Sequence, residues 1–418
     1  MSKSQKTPAN SLAVSRRGLL LGAAAGGVGA ALPHTATAAK AEDMVKPDPM
    51  ETEYPFYGTG GQAGIATPPQ RHAMFMSFDL TTDKRGDLQV LLARWSAAIG
   101  LMMRGKAISA VESDHEYAVK LETGEALDLG PAGLTVTVGL GPRVFGPEYG
   151  LAAHRPPLMR PLKALPSDAL HPEWTGGDLS LQACAEDPQV AYHAIRVLSR
   201  IAKRLNAASV RWTVMGFGRA SAGKGQVTPR NLFGFRDGTR NIREPAAMAR
   251  HVWLNDGPEW QRGGTYQVAR KIEMHIENWD TDQVSDQNAV FGRHKATGAP
   301  LGSKAEFDTP DFAKRDADGN PMIPVNAHIR LAAREHNDGT QILRRSYNYT
   351  DGLNDVARLD AGLLFISYQN DPANFEALQT KLGAADALNE YITHVGSALF
   401  FVPPAAPEGS YLGAPLFA

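Results

Sequence analysis

TYQVARKIEMHIENW, residues 265 to 279, alternates apolar and polar side chains with period two, the pattern of a half-buried β-strand. Read this way, His275 shares a face with Lys271, Glu273 and Glu277, opposite Ile272, Met274 and Ile276, which makes it a solvated side chain. Working outward, GLLFISYQ (362–369) is a nearly continuous buried strand, NFEALQTKLG (374–383) and DALNEYIT (386–393) have helical spacing, and ALFFVPP (398–404) closes a strand against prolines. The first half follows a similar plan. HAMFMSFDL (72–80), LTVTVGL (134–140) and VRWTVMGFG (210–218) read as strands. GDLQVLLARWSAAIGLMM (86–103) and DPQVAYHAIRVLSRIAKRLNAA (187–208) read as helices. Strands alternating with helices in two similar stretches predict a duplicated α+β unit, with the junction near Gly223 to Thr228.

The ends carry different signals. Ser15-Arg16-Arg17-Gly18-Leu19-Leu20-Leu21 places twin arginines before an apolar, Ala/Gly-rich run to Leu32, and small residues follow at Ala36-Thr37-Ala38 and Ala39-Lys40-Ala41. This is the pattern of a twin-arginine export signal over 1–41. The run is shorter than the ~20 residues a bilayer span needs, so no stable membrane anchor is expected. Residues 42–72 are rich in Pro and Gly and read as an extended arm anchored by Tyr54, Phe56 and Tyr57. Two halves, 73–225 and 226–418, follow. The signal predicts an extracytoplasmic protein, periplasmic in a Gram-negative host. Substrates of this route cross the membrane folded, often with a cofactor loaded.

Composition narrows the partners. Lys plus Arg number 43 against 44 Asp plus Glu, so no electrostatic pull toward nucleic acid is implied. Cys184 is the sole cysteine, which excludes an internal disulfide, a thiolate-bound iron–sulfur cluster and covalent haem attachment through Cys-x-x-Cys-His. Its expected role is a small buried residue leading into the second helix. DADGN (316–320) starts like a calcium loop, but Pro321 stands where glycine is required and Ala327 where the bidentate acid belongs. It reads as a surface turn.

Three ionisable residues stand out. Asp237 lies in NLFGFRDGTRN (231–241), where Asp-Gly is first of all a way to make a tight turn. His328 lies in the apolar, strand-like PVNAHIRLAA (324–333), where a buried hydrogen-bonded imidazole is the ordinary reading. It is also what an axial haem ligand needs. Arg344 and Arg345 open RRSYNY. If His328 held iron on one face, Asp237 and an arginine on the other would supply the proton carrier and the positive charge that peroxide cleavage requires. A carboxylate in that role must be ionised, and an adjacent arginine favours ionisation, which predicts activity in acid. Tyr347, Tyr349 and Trp279 neighbour these motifs and read as aromatic core or as electron relays.

FGFRDGT (233–239), NAHIRLA (326–332) and LRRSYNY (343–349), with GGTYQVARKIEMHIENW (263–279) between the first two, resemble the dye-decolourising peroxidases, which carry non-covalent haem b. The likeness extends from the arm, YPFYGTGGQAGIATPPQ (54–70), to the C-terminal FVPP. It is strongest to the twin-arginine-exported bacterial branch described as deferrochelatase/peroxidase and associated with iron uptake. The resemblance implies an α+β fold of duplicated ferredoxin-like halves with antiparallel sheets, of the dimeric α+β barrel-like kind, with haem in the C-terminal half, and a frequent homodimer. It implies hydrogen peroxide and small-molecule electron donors (dyes, phenols, porphyrins) as partners. Iron release from haem, or haem carriage without turnover, stands as the alternative. By position, Asp237 corresponds to the distal acid–base, His328 to the iron ligand and Arg344 to the distal arginine, with Arg345 directed elsewhere. Gly238 and Thr239 lie close enough to contact haem, and Arg334 to pair with a propionate. The family's carboxylate behind the axial histidine is assigned here to Glu390. Two departures concern entry: Ser346 stands where the family has glycine, and Gly61 where the arm often has histidine.

Overall fold

The computed structural model describes residues 48–112, 114–115 and 117–418. The expected export signal lies outside them, as does the beginning of the arm. Among the described residues no helix is long and apolar enough to cross a membrane.

The first half runs β1 (His72–Leu80), α1 (Arg85–Met102), β2 (Thr135–Leu140), β3 (Leu179–Ala185), α2 (Pro188–Arg204) and β4 (Ala208–Arg219). Its strands order β2-β3-β1-β4, all antiparallel. The second half carries α3 (Pro245–His251), β5 (Thr265–Met274), α4 (Ile276–Asp280), α5 (Val284–Phe291), α6 (His328–Leu331), β6 (Leu343–Arg344), β7 (Tyr347–Leu353), β8 (Leu359–Gln369), α7 (Pro372–Ala385) and β9 (Ile392–Val402). Its long strands order β9-β5-β8-β7, again antiparallel. In each half the first long strand lies between the third and the fourth, so both have the same βαββαβ ferredoxin-like arrangement. The sequence halves are therefore structural repeats.

The two sheets join edge to edge. β2 meets β9 at Leu140↔Phe401 and β4 meets β7 over three residue pairs, which closes the strands into a ring. Closure removes free sheet edges. The arm seals the β2–β9 seam: Gln62 Nε2 donates to the carbonyls of Val138 and Pro403, and its Oε1 accepts from Val138 N–H. Inside the ring, Phe75, Trp212, Tyr368 and Phe400 form an aromatic core. Outside, α1 and α2 cover the first sheet with Leu88, Trp95, Val197 and Ile201. Asp187 and Asp371 cap α2 and α7 ahead of Pro188 and Pro372, which satisfies the first free N–H groups.

Several local expectations change. The strand read over 265–279 stops at Met274, where His275 turns the chain into α4. The alternation continued only because Ile276 and Trp279 turn inward beneath the 231–235 loop, with Trp279 Nε1 donating to Phe233 O. His275 is half-buried and its Nε2 lies 3.0 Å from Thr393 Oγ1, while Lys271 is buried beneath Trp174 and bonded to Asp351. Cys184 is buried as expected, but within β3, a strand covered on both faces, and not in the approach to α2. DALNEYIT is a single 3-10 turn over Ala387–Glu390, followed at once by β9.

Candidate active site

The loop that carries Asp237 is built from the inside. Phe233 and Phe235 are each 1% exposed and pack on Trp279 and Phe291, with the Phe235 and Phe291 rings stacked at 4.1 Å. Between them Gly234 turns the chain at φ +82°. Asn231 then closes the loop by accepting Phe235 N–H at Oδ1, and Asp237 N–H donates to Pro229 O. Gly238 has φ +90°, and a Cβ there would stand 3.0 Å from Ala222 N and 3.1 Å from Ser221 Cα. Both the dihedral and the close approach require glycine. Glu306 braces the two flanks of the acid, accepting Thr239 Oγ1–H and pairing with Arg236 at 3.1 Å.

Arg344 Nη1 donates to Asp237 Oδ1 at 2.7 Å, a charge-assisted bond between half-buried groups. The arginine is held by its backbone. Asn241 Oδ1 accepts Arg344 N–H at 2.9 Å and Asn241 Nδ2 donates to Arg344 O at 2.8 Å, so the amide grips both sides of the residue. Because Arg344 pairs with Ser367 across β6 and β8, it shares a face with Phe365 and Leu363. Those two residues are half-buried and give the site an apolar floor.

His328 sits at the start of α6, not in a strand. Its Nδ1–H donates to Asp386 Oδ2 at 2.6 Å; a carboxylate only accepts, which fixes the tautomer and leaves Nε2 as the free lone pair. Burial disfavours the charged ring, and the Asp386 carboxylate outweighs it, so the imidazole is more basic than usual. The charges of Asp237 and Arg344 also act on this ring, the carboxylate favouring and the guanidinium opposing its charged form. Asp386 replaces Glu390 as the carboxylate behind the histidine. Glu390 is exposed, whereas Asp386 is buried and also accepts Leu388 N–H. A cap preference for Asp before the 387–390 turn was the sequence signal available.

The remaining predicted residues fall as follows. Arg345 points into the ring, 1% exposed, donating to Thr67 O and Gln70 Oε1. Arg334 has an open side chain 3.6 Å from Glu335. Ser346 does not face an entrance: it is 2% exposed and its Oγ accepts Ile366 N–H. At Gly61 a Cβ would lie 2.3 Å from the Trp253 ring, so Trp253 fills the space a larger residue would take. Tyr347, Tyr349 and Trp279 are all core residues. Sequence reading missed Asn241, Glu306, Asp386 and Arg293. Arg293 is a buried guanidinium beside Arg240 and Arg344, with a pKa pushed down to about 10 by burial.

An iron porphyrin fits this residue set. An imidazole with a carboxylate behind it would hold the iron with its orienting partner, and Asp237 and Arg344 would supply a proton carrier and a positive charge to the chemistry there.

Known proteins carry the same architecture. The domain family described as Dyp-type peroxidase, N-terminal, matches residues 62–218, and Dyp-type peroxidase, C-terminal, matches 228–407. The chain is 35% identical to the deferrochelatase of Escherichia coli O6:K15:H31 over 96% of both sequences. It is 40% identical to the dye-decolorizing peroxidase of Thermobifida fusca, over 84% of this chain and 82% of that one. Ferric DtpA from Streptomyces lividans superposes with a TM-score of 0.81 at 37% identity, covering 88% of this chain and 98% of the other. With repeat fold, site geometry and relatives in agreement, the chain belongs to the Dyp-type peroxidase family.

Proposed function

We propose that this protein is a haem b peroxidase that reduces hydrogen peroxide and oxidises dyes, phenols or porphyrins, exported folded under its 1–41 signal to an extracytoplasmic, periplasmic site. One observation carries the reading: Asp237 and Arg344 pair at 2.7 Å and their charges act on His328, itself held by Asp386 at 2.6 Å. When bound, haem supplies the iron at which the peroxide O–O bond is split and the oxidising equivalents are kept. Asp237 accepts a proton from the near oxygen of peroxide and returns it to the far one. Arg344 orients that carboxylate through its 2.7 Å bond and offers positive charge to the oxygen that departs. Asp386 fixes the ring of His328, and Gly238, Thr239 and Arg334 complete the cofactor's surroundings, Arg334 toward a propionate. The division at 73–225 and 226–418 is part of the same proposal, in line with the two family matches.

The test is peroxide-dependent oxidation of a reactive dye in acid by the haem-loaded protein and by Asp237→Ala. Loss of turnover with haem retained supports the peroxidase. Full turnover in the variant refutes the assignment of Asp237. The deferrochelatase relatives favour a second reading, release of iron from haem. Appearance of free porphyrin without peroxide would support it.

A further inference from the structure

A cavity of about 320 Å³ adjoins Arg344, and neither His328 nor Asp237 lines it. Its volume lies at the lower end of small-molecule sites, enough for one substituted ring rather than a fused dye. The walls are apolar: Ile65 from the arm, Ile242, Met248 on α3, and the Trp253 ring. Its charge is one-sided. Lys224, Arg243, Arg344 and Arg345 line it, and no acidic residue does among those described.

Two of these cations are already committed, Arg344 to Asp237 and Arg345 to Thr67 and Gln70. Arg243 is not. Its Nε is buried with no hydrogen-bond partner, its Nη2 reaches Gly238 O at 3.4 Å, and its guanidinium lies 5.8 Å from the centre of the Phe307 ring, so no acceptor of opposite charge among the described residues meets it. A buried donor without an acceptor is costly. Lys224, with a side chain 70% exposed, stands at the mouth and reaches Glu244 at 3.4 Å.

We propose that this cavity binds a phenolic carboxylate as electron donor. The ring packs between Met248 and Trp253, and the carboxylate takes the donors of Arg243 and the charge of Lys224. The donor then lies against Arg344, which itself bonds Asp237. Each phenol gives up one electron and its hydroxyl proton, so that one peroxide and two phenols yield two waters and two phenoxyl radicals. The inference rests on the peroxidase reading for turnover; binding does not depend on it.

The experiment compares 4-hydroxy-3-methoxybenzoate with 2-methoxyphenol, which differs by the carboxylate alone. Calorimetric binding and KM are measured on the haem-loaded wild type, Lys224→Glu and Met248→Trp. Lys224→Glu is expected to weaken binding and raise KM about tenfold for the benzoate and leave the neutral phenol within twofold. Met248→Trp fills the cavity and is expected to abolish benzoate binding. Because it alters a buried position, the exposed Lys224→Glu change provides the independent test. Benzoate binding that is absent, or equal in all three proteins, overturns the proposal even if peroxidase turnover is normal. Cavity-dependent binding without any peroxide turnover upholds the cavity and refutes the peroxidase reading instead.

Discussion

Arg344 and Arg345 are adjacent in the chain and project to opposite faces of the sheet. Arg344 reaches outward to Asp237 at 2.7 Å, whereas Arg345 is buried in the ring against Thr67 and Gln70. The alternation of a strand accounts for this. One arginine therefore serves the site, and the other holds the arm to the barrel.

Their substitutions should separate accordingly. Arg344→Ala is expected to lower kcat/KM for peroxide by 10²- to 10³-fold, on the order of a lost transition-state donor, with little change in Tm. Arg345→Ala is expected to lower stability by about 1–3 kcal/mol through the acceptors it leaves unpaired in the interior. Peroxide kinetics beside thermal melts check both. Equal loss of activity in two equally stable proteins would contradict the division.

Asn241 tests positioning at one remove. It bonds neither Asp237 nor His328, yet its amide grips both backbone groups of Arg344. Asn241→Ala is expected to lower kcat about tenfold or more, because small misplacements of catalytic groups are costly. Asn241→Asp keeps the acceptor for Arg344 N–H but presents a second acceptor to Arg344 O, so it should rescue little. A kcat unchanged in Asn241→Ala would mean that β6 alone fixes the arginine.

The motifs that carry Asp237, His328 and Arg344 were legible because each is local: a turn, a histidine in an apolar setting, an arginine pair. Their supports were not. Asp386 lies 58 residues from His328, and Glu306 lies 67 from Thr239; sequence spacing carries no trace of such pairings. Glu390 was chosen from the right segment and the wrong residue, since helical spacing over 386–393 hid that the chain caps a single turn there. The duplicated α+β plan was legible from strand and helix patterns. The closed ring was legible only through the resemblance, which implies a barrel-like fold, since strand patterns carry no trace of the one-pair β2–β9 seam and three β4–β7 pairs that close it. β3 escaped although Leu179, Leu181 and Ala183 alternate with Ser180 and Gln182, because its end at Cys184 and Ala185 lies three residues before α2 and reads as the approach to that helix.

The carboxylate correction is itself testable. Asp386→Asn should weaken haem retention or shift the ligand-sensitive absorption bands, with a 10- to 100-fold loss of affinity or activity, as for other partners that orient a metal-bound histidine. Glu390→Gln, at an exposed residue, should be within twofold of wild type. A spectrum altered by Glu390→Gln and unmoved by Asp386→Asn would reverse the assignment.

An enzyme working in acid meets a limit set elsewhere in the molecule. His394 on β9 is 4% exposed, next to Arg270, and burial followed by that positive charge pushes its pKa down to about 3. The folded state keeps this imidazole neutral, while the unfolded chain protonates it near pH 6.5. Its contribution is thus fully present above pH 6.5 and is lost as pH falls from there toward 3, by roughly 3 kcal/mol at pH 4.5. The pair of Arg240 and Glu335 behaves differently. Hydrogen bonding to Arg240 holds Glu335 at about 2, so that pair persists to far lower pH and does not set the limit. Urea unfolding of the haem-loaded protein at pH 7 and pH 4.5 should therefore show a marked loss that His394→Gln reduces by about half or more. Equal losses in both proteins would place the acid sensitivity in groups other than His394.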